Sequence, residues 1–222
     1  MPGEMSAAKQ RATEPARLTR DRIVDEALSL VDRAGADALT MRNLGAALGV
    51  DPTAVYRHFR DKDEILLAMA DRLFAEMADG IRPHEDWRDV LRDNAWKARR
   101  VYLSHPAMAR MLSVSPEVLG NHQRIAEALL GALRASGLSE EDASRAYHAN
   151  VNYVAGVSSL DAELPSDGPG YDSWRRAYAS LDAEQFPNCV AAAPHLWPDD
   201  DEQFKFGLEL LIEAIAVRAA RR

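Results

Sequence analysis

The sequence predicts an all-α fold in which a small N-terminal three-helix unit precedes a larger C-terminal helical domain. Apolar residues recur at helical spacing along nearly the whole chain. No segment shows the sustained two-residue alternation or the turn residues of a β-hairpin. We therefore divide the chain into a flexible arm over 1–17, a compact unit over 18–65 and a larger domain over 66–222.

The compact unit opens with two helices whose ends are marked by side chains. Thr19 is placed to cap a first helix that ends near Gly35, and Thr40 is placed to cap a second. The second helix carries one apolar stripe over 44–48 and meets Gly49, a residue that readily adopts the left-handed conformation ending a helix. A tight turn is therefore expected at Gly49.

A short third helix follows this turn at once. Asp51 is its expected N-cap, and Pro52 occupies the first helical position, where its missing N–H costs nothing. Val55 and Phe59 lie four residues apart and form the buried side. This order of helix, tight turn and helix is typical of a helix-turn-helix, whose second helix enters the DNA major groove. The alternative is a surface helix in an ordinary bundle.

The exposed positions of this unit carry hydrogen-bond donors suited to DNA. Arginine pairs with guanine at two points, hydroxyl groups and lysine reach phosphates, and a small side chain admits a thymine methyl. For Tyr56 the alternative is a largely buried ring, and for Thr40 a capping role alone. The predicted DNA-binding residues are Thr40, Arg42, Thr53, Ala54, Tyr56, Arg57, His58 and Lys62.

The rest of the chain is predicted to be helical with short breaks. A fourth helix begins at Asp61 and is long enough to leave the compact unit, and His105–Pro106 ends a fifth, because proline disfavours the α conformation in the residue before it. The further predicted helices cover 107–112, 115–137, 139 to about 160 or 164, 171–184 and 199–222, with an irregular segment at 187–198.

The charge distribution and the cysteine content limit the classes of protein to which this chain can belong. The net charge is −8, but residues 1–62 hold ten Lys/Arg against nine Asp/Glu, whereas the acidic excess lies in 63–222. The acidic total therefore does not argue against nucleic-acid binding by the compact unit. Cys189 is the only cysteine, which excludes an intrachain disulfide and favours the cytoplasm. No apolar run is long enough to span a membrane.

Residues 19–66 resemble the N-terminal domain of the tetracycline-repressor-type (TetR) transcriptional regulators. The matching segments are RDRIVDEALSLVDRAG, LTMRNLGAALGV and AVYRHFRDKDEIL, and the Y-x-H-F-x-x-K-x-x-L arrangement from Tyr56 to Leu66 is specific. The resemblance implies DNA contacts at the positions above, a small molecule enclosed by the larger domain, and a homodimer formed through a four-helix bundle.

The helices expected to form that bundle are apolar on more than one side. A helix of this kind is buried either in a large core or at an interface. With the homodimer implied by the resemblance, the predicted interface residues are Tyr147, Val151, Val154, Leu208, Leu211 and Ile215. The alternative is that the same residues belong to a single intrachain core.

An apolar molecule is the expected ligand of the larger domain. His148 and Asn152 share one helical face and can supply polar anchors among aromatic and methionine walls. For each residue taken singly, an ordinary place in the core is the alternative. The predicted ligand-binding residues are Trp96, Met108, Met111, His148, Asn152 and Trp174.

No constellation of residues points to an enzyme. The sequence has no G-x-S-x-G, H-E-x-x-H, phosphate loop or G-x-G-x-x-G, and its six histidines are scattered. We therefore expect neither metal nor cofactor. The sequence predicts a dimeric, ligand-responsive transcriptional regulator, a repressor that a small apolar molecule releases from double-stranded operator DNA, without a membrane partner. The alternative is a helical ligand-binding or interaction module that does not bind DNA.

Overall fold

A computed structural model of the protein describes residues 17–81, 86–108, 112, 120–166 and 168–221. Nearly all of the arm predicted over 1–17 lies outside these ranges. Within them the chain forms ten α-helices, a further helical segment at 106–108, and two short 3₁₀ turns, at Ala36–Ala38 and Ala193–His195. The helices are α1 (Arg20–Ala34), α2 (Met41–Leu48), α3 (Pro52–Tyr56), α4 (Lys62–Ala78), α5 (Trp87–Ser104), α6 (Gly120–Ala135), α7 (Glu140–Glu163), α8 (Pro169–Ala179), α9 (Pro187–Ala192) and α10 (Asp200–Ala220).

Side-chain caps begin the first four helices, as the sequence predicts. Thr19, Thr40, Asp51 and Asp61 each accept a hydrogen bond from a backbone N–H of the turn that follows. These bonds satisfy N–H groups that have no partner inside the helix. The positions at which α1 to α4 begin are therefore set by local chemistry.

The core of the compact unit is closed. Ile23 on α1, Leu44 on α2, Val55 on α3, Phe59 after it and Ile65 on α4 are all buried, with at most 1% of their surface exposed. The predicted anchoring of the third helix by Val55 and Phe59 is confirmed. Because α3 has only five residues, it depends on these contacts for its stability.

Helices α4 to α7 and α10 pack together as the larger domain, and ion pairs made by one buried arginine join three of them. Arg99 on α5 is 1% exposed and donates to Asp161 on α7 at 2.6 Å and to Asp201 on α10 at 2.8 Å. Its guanidinium also lies 4.6 Å from the centre of the Phe204 ring. Arg99 therefore fixes α5, α7 and α10 relative to one another.

The segment between α7 and α10 differs from its prediction. Residues 187–198, expected to be irregular, contain α9 and a 3₁₀ turn, and the helix expected over 171–184 is α8, at 169–179. Both Pro187 and Pro194 stand in the first turn of their helical segment, where the absent N–H breaks no hydrogen bond. Prolines at these positions start helical turns instead of excluding them.

Helix α10 is apolar on two sides, and the structure distinguishes them. Its inner side is buried against α5 and α7, whereas Phe206, Leu210 and Val217 on the outer side are more than half exposed. Of the residues predicted to lie at a dimer interface, four are instead in the protomer's own core: Tyr147, Val154, Leu208 and Ile215. Val151 and Leu211 are partly buried. Because side chains follow the helical period of about 3.6 residues, the exposed apolar side chains lie on the face opposite the buried ones.

Candidate nucleic-acid interface and ligand cavity

The turn between α2 and α3 is tight because two glycines permit it. Gly49 adopts φ 70°, and the Val50 N–H donates to the carbonyl of Gly45 at 2.9 Å. A Cβ at Gly45 would lie 3.1 Å from the Val50 carbonyl oxygen and 3.2 Å from Pro52. These glycines set the angle at which α3 leaves the turn.

Asp51 and Thr53 are joined at the start of α3. The Asp51 carboxylate accepts from the Thr53 N–H at 2.8 Å and from the Thr53 hydroxyl at 2.6 Å. The hydroxyl bond, followed by the backbone bond, lowers the pKa of Asp51 below its ordinary value. Because the Thr53 proton is engaged by the cap, its hydroxyl contacts a phosphate as a donor only after rotating away from Asp51.

The other predicted DNA-binding side chains lie mostly at the surface of the compact unit. Thr40, Arg42, Arg57 and Lys62 are exposed, whereas Ala54 and His58 are half-buried. Tyr56 is 54% exposed, so its ring is not part of the core. Exposed donors therefore flank the helix that Val55 and Phe59 hold in place.

Arg20 supports the end of α3, a role that the sequence did not reveal. Its guanidinium lies 3.9 Å from the centre of the Phe59 ring, donates to the His58 carbonyl and pairs with Glu64 at 2.9 Å. Glu64 also accepts from the Arg60 N–H at 2.7 Å. That backbone bond, followed by the bond from Arg20, lowers the pKa of Glu64. No local pattern joins residues 44 positions apart.

A cavity of ≈ 520 Å³ lies among α4, α5, α6 and α7 in the larger domain. Its wall combines aromatic and aliphatic side chains with a few polar groups, the composition usual for a small-molecule site. The residues that line it include Phe74 and Met77 of α4, Asn94 and Tyr102 of α5, His122 and Ile125 of α6, and Tyr147, Asn150, Asn152, Val154 and Glu163 of α7.

The predicted ligand-binding residues are mostly elsewhere. Among those described, Asn152 lines the cavity, whereas Trp96 packs edge-on against Phe204 with ring centres 4.9 Å apart. Met108 is buried away from the wall, His148 is exposed, and Trp174 is 57% exposed beside Tyr178 on α8. Met111 lies outside the described residues.

The sequence did not single out Phe74, Asn94, His122 or Asn150 for the cavity. Asn150 carried a usable pattern, because it stands between Tyr147 and Val154 on the buried stripe of α7. A polar residue in such a stripe needs a partner or a ligand. The pattern within one helix does not show which other helices face that stripe.

Helix α4 connects the cavity to the compact unit. Its N-terminal turn carries Lys62 and Glu64, and its C-terminal half places Phe74 and Met77 in the cavity wall. The Asn94 side chain donates to the Met77 carbonyl at 3.4 Å, near the end of α4 where carbonyls lack helical partners. A molecule in the cavity therefore contacts the same helix that begins beside α3.

In the part of the chain that the structure describes, no three His, Cys, Asp or Glu side chains converge in a way that could hold a metal ion. None of the described helices combines the length and apolar character needed to cross a bilayer.

Two family models match the chain. Residues 23–69 match the model described as bacterial regulatory proteins, tetR family, and residues 80–219 match the tetracyclin repressor-like C-terminal domain. Together they cover the compact unit and nearly all of the larger domain. The resemblance seen in residues 19–66 is confirmed and extends across both domains.

Individual relatives agree over almost their full length. An HTH-type transcriptional regulator of Saccharopolyspora erythraea is 31% identical over 95% of this chain and 89% of its own. The crystal structure of ActR from Streptomyces coelicolor without ligand is similar to this chain, with a TM-score of 0.82 and 29% identity. The match covers 95% of this chain and 99% of ActR. ActR in complex with actinorhodin is also similar (TM-score 0.77, 30% identity, 92% and 99% of the two chains). BioQ with its double-stranded DNA operator has a TM-score of 0.65 at 26% identity, over 90% and 99% of the two chains.

Proposed function

The chain belongs to the TetR family of transcriptional regulators, and we propose that it is a homodimeric repressor which a small, mainly apolar molecule releases from operator DNA. Two relatives support the two halves of this proposal. BioQ was solved on its DNA operator, and ActR was solved with actinorhodin. We assign the protein to the cytoplasm, together with the DNA that it binds, and assign it no catalytic step.

The exposed side of α3 carries the proposal of DNA binding. Val55 and Phe59 hold the helix from below, and Tyr56 and Arg57 project from the surface beside it. Arg57 is suited to a base edge and Lys62 to a phosphate at the positive end of α4. We propose that these side chains, with Thr40 and Arg42, meet the major groove and its phosphates.

An exposed apolar surface supports the homodimer. Phe206, Leu210 and Val217 on α10 and Leu160 on α7 are each more than half exposed. Large apolar side chains exposed on two helices that contact each other are typical of an interface. We propose that α7 and α10 of two copies pack through it as a four-helix bundle. Two-fold symmetry then presents two copies of α3 to half-sites about 34 Å apart or more.

Helix α4 supplies the proposed route from ligand to DNA. A ligand that presses on Phe74 or Met77 favours one position of α4, and α4 begins next to the end of α3. To lower operator occupancy about 100-fold, the ligand must favour the non-binding state by about 2.7 kcal/mol. The coupling needs this differential affinity, whatever the absolute affinity of the ligand.

A gel-shift titration with the DNA flanking the protein's own gene tests the proposal. We expect a specific shift that unrelated DNA of equal length does not compete away, and a sedimentation mass of two chains. Adding metabolite fractions is expected to reverse the shift. A protein that binds ligand but shifts neither its flanking DNA nor any selected sequence would be a ligand-binding module, and the proposal would be wrong.

A further inference from the structure

We propose that the cavity accepts an uncharged aromatic molecule whose hydroxyl or carbonyl group hydrogen-bonds to the side-chain amide of Asn150. The identification of this molecule as the effector rests on the function proposed above. Three features of the cavity wall support the rest: a buried amide oxygen without a partner among the described residues, the absence of lysine and arginine from the described lining residues, and a set of aromatic rings.

Asn150 is a buried amide whose oxygen has no partner among the described residues. It is 2% exposed, and its Oδ1 has no hydrogen-bond partner among the described residues. Buried side-chain amides are normally paired, because leaving one unpaired costs the free energy of its lost hydration. Asn150 lines the cavity but its Oδ1 is itself enclosed, so a bound molecule supplies the missing bond once the amide rotates toward the cavity.

Asn94, a second buried amide in the cavity wall, differs from Asn150 because it has a hydrogen-bond partner. Asn94 is also buried and also lines the cavity, but its Nδ2 donates to the Met77 carbonyl. Asn94 therefore has a structural task at the end of α4. The oxygen and nitrogen of Asn150 are interchangeable by rotation of the amide, so the amide can either accept or donate. A ligand hydroxyl can pair with the amide in either orientation, because it both donates and accepts. A ligand carbonyl only accepts, so it pairs only with the amide N–H.

The charge of the wall disfavours an anion. No described residue that lines the cavity is a lysine or arginine, and Glu163 places a carboxylate in the wall. The buried Arg99 nearby is held by Asp161 and Asp201 and is not in the wall. Burial raises the pKa of Tyr147, so its phenol stays uncharged. A buried ligand carboxylate would lose its hydration without gaining a lysine or arginine partner among these residues.

The rings of the wall favour a flat aromatic ligand. Phe74, Tyr102, Tyr147 and His122 come from four different helices and meet at the cavity. Phe74 and His122 already pack edge to face with ring centres 5.1 Å apart. Aromatic rings gain from such offset or edge contacts in addition to the burial of apolar area. The volume of ≈ 520 Å³ suits a drug-sized molecule.

Three matched probes test the proposal by calorimetry on the full chain: 4-hydroxybiphenyl, 4-methylbiphenyl and biphenyl-4-carboxylate. We expect the hydroxyl compound to bind about two- to tenfold more tightly than the methyl compound, the range that one hydrogen bond gives. The carboxylate should bind at least about tenfold more weakly than the hydroxyl compound. Equal or tighter binding of the carboxylate would overturn the proposal.

Asn150→Leu tests whether the preference for the hydroxyl compound over the methyl compound depends on Asn150. Leucine has a similar volume and no polar atom, so we expect the variant to bind the hydroxyl and methyl compounds equally and to melt no lower than the parent. Asn188→Leu makes the same chemical change on exposed α9 and should keep the parent preference. If Asn150→Leu fails to fold, Asn150→Ala replaces it. A preference that survives both substitutions at Asn150 would overturn the assignment.

The same preparations are used for operator gel shifts, which separates two kinds of failure. A protein that shifts operator DNA but binds none of the three probes overturns the ligand chemistry and leaves the repressor intact. A protein that binds 4-hydroxybiphenyl through Asn150 but shifts no DNA supports the ligand chemistry and contradicts the proposed function.

Discussion

The compact unit and the larger domain differ in where their polar side chains lie, at the surface or in the core. All four buried polar or charged residues in the described core, Asn94, Arg99, Asn150 and Ser158, belong to the larger domain. In the compact unit the polar side chains lie at the surface, where they cap helices or form exposed ion pairs. An apolar core with capped helices defines one rigid shape, whereas an unpaired polar group in a cavity wall leaves a position for a ligand.

This contrast matches the two tasks of the molecule. A DNA-reading helix needs a fixed orientation, and α3 obtains it from Val55, Phe59 and the bridge made by Arg20. A ligand-responsive domain needs two arrangements of similar free energy. Three of its oxygens, Asn150 Oδ1, Ser158 Oγ and Ser159 Oγ, have no partner among the described residues, and a ligand or a shift of α7 can change their environment.

The largest effect is expected from Arg99→Met in the larger domain. The substitution leaves Asp161, with a side chain only 13% exposed, without its cationic partner. We expect a loss of about 3–5 kcal/mol in the free energy of unfolding, measured by urea titration. The melting temperature should fall by roughly 10 °C. Arg100→Met, at the exposed neighbouring position, is the control. Equal melting of the two variants would show that the network does not support the domain.

Arg57→Ala tests the proposed contact between Arg57 of the compact unit and an operator base. We expect a loss of about 1–3 kcal/mol of discrimination at one operator base pair, with the other positions unchanged. Measuring affinity for every single-base variant of the operator locates that position. Arg57→Lys retains the charge but not the two-point geometry, so it should lose the same discrimination. An unchanged base preference in both variants would exclude Arg57 from base contact.

Thr40→Ala tests whether local capping stabilises the compact unit. The Thr40 hydroxyl accepts from the Asn43 N–H at 3.1 Å, and its removal should cost about 1 kcal/mol of unfolding free energy. Amide hydrogen exchange at the start of α2 should accelerate accordingly. Thr40→Ser keeps the hydroxyl and should exchange like the parent. The capping interpretation fails if serine and alanine exchange alike.

Lys62→Ala is expected to have the smallest effect at any one base. The exposed ammonium group at the start of α4 is proposed to contact a phosphate, so its loss should weaken binding to all DNA sequences about equally. The slope of log affinity against log salt should decrease by about one. Lys97→Ala, on α5, is the charge-matched control and should keep the parent slope. A parent-like slope for Lys62→Ala would remove this contact.

The sequence predicted the helix-turn-helix well and the cavity poorly. Thr40, Gly49, Asp51 and Pro52 act on their own backbone or on residues two to four positions away, so their roles are readable from the order of residues. The cavity collects single residues from α4 to α7. Trp96 and Trp174 have the right chemical character for a ligand site, but Trp96 packs against Phe204 and Trp174 is more than half exposed.

By itself, the sequence determined the all-helical fold, the capped starts of α1 to α4 and the turn that presents α3, because each follows from contacts within a few residues. Only the tertiary structure decided which side of α7 and α10 is core, which leaves Phe206, Leu210 and Val217 outside. It also decided that Arg20 supports α3 and that the Asn150 oxygen is buried with no partner in the described part of the chain. These outcomes depend on which helices meet, and packing between distant segments leaves no trace in the spacing of residues along one helix.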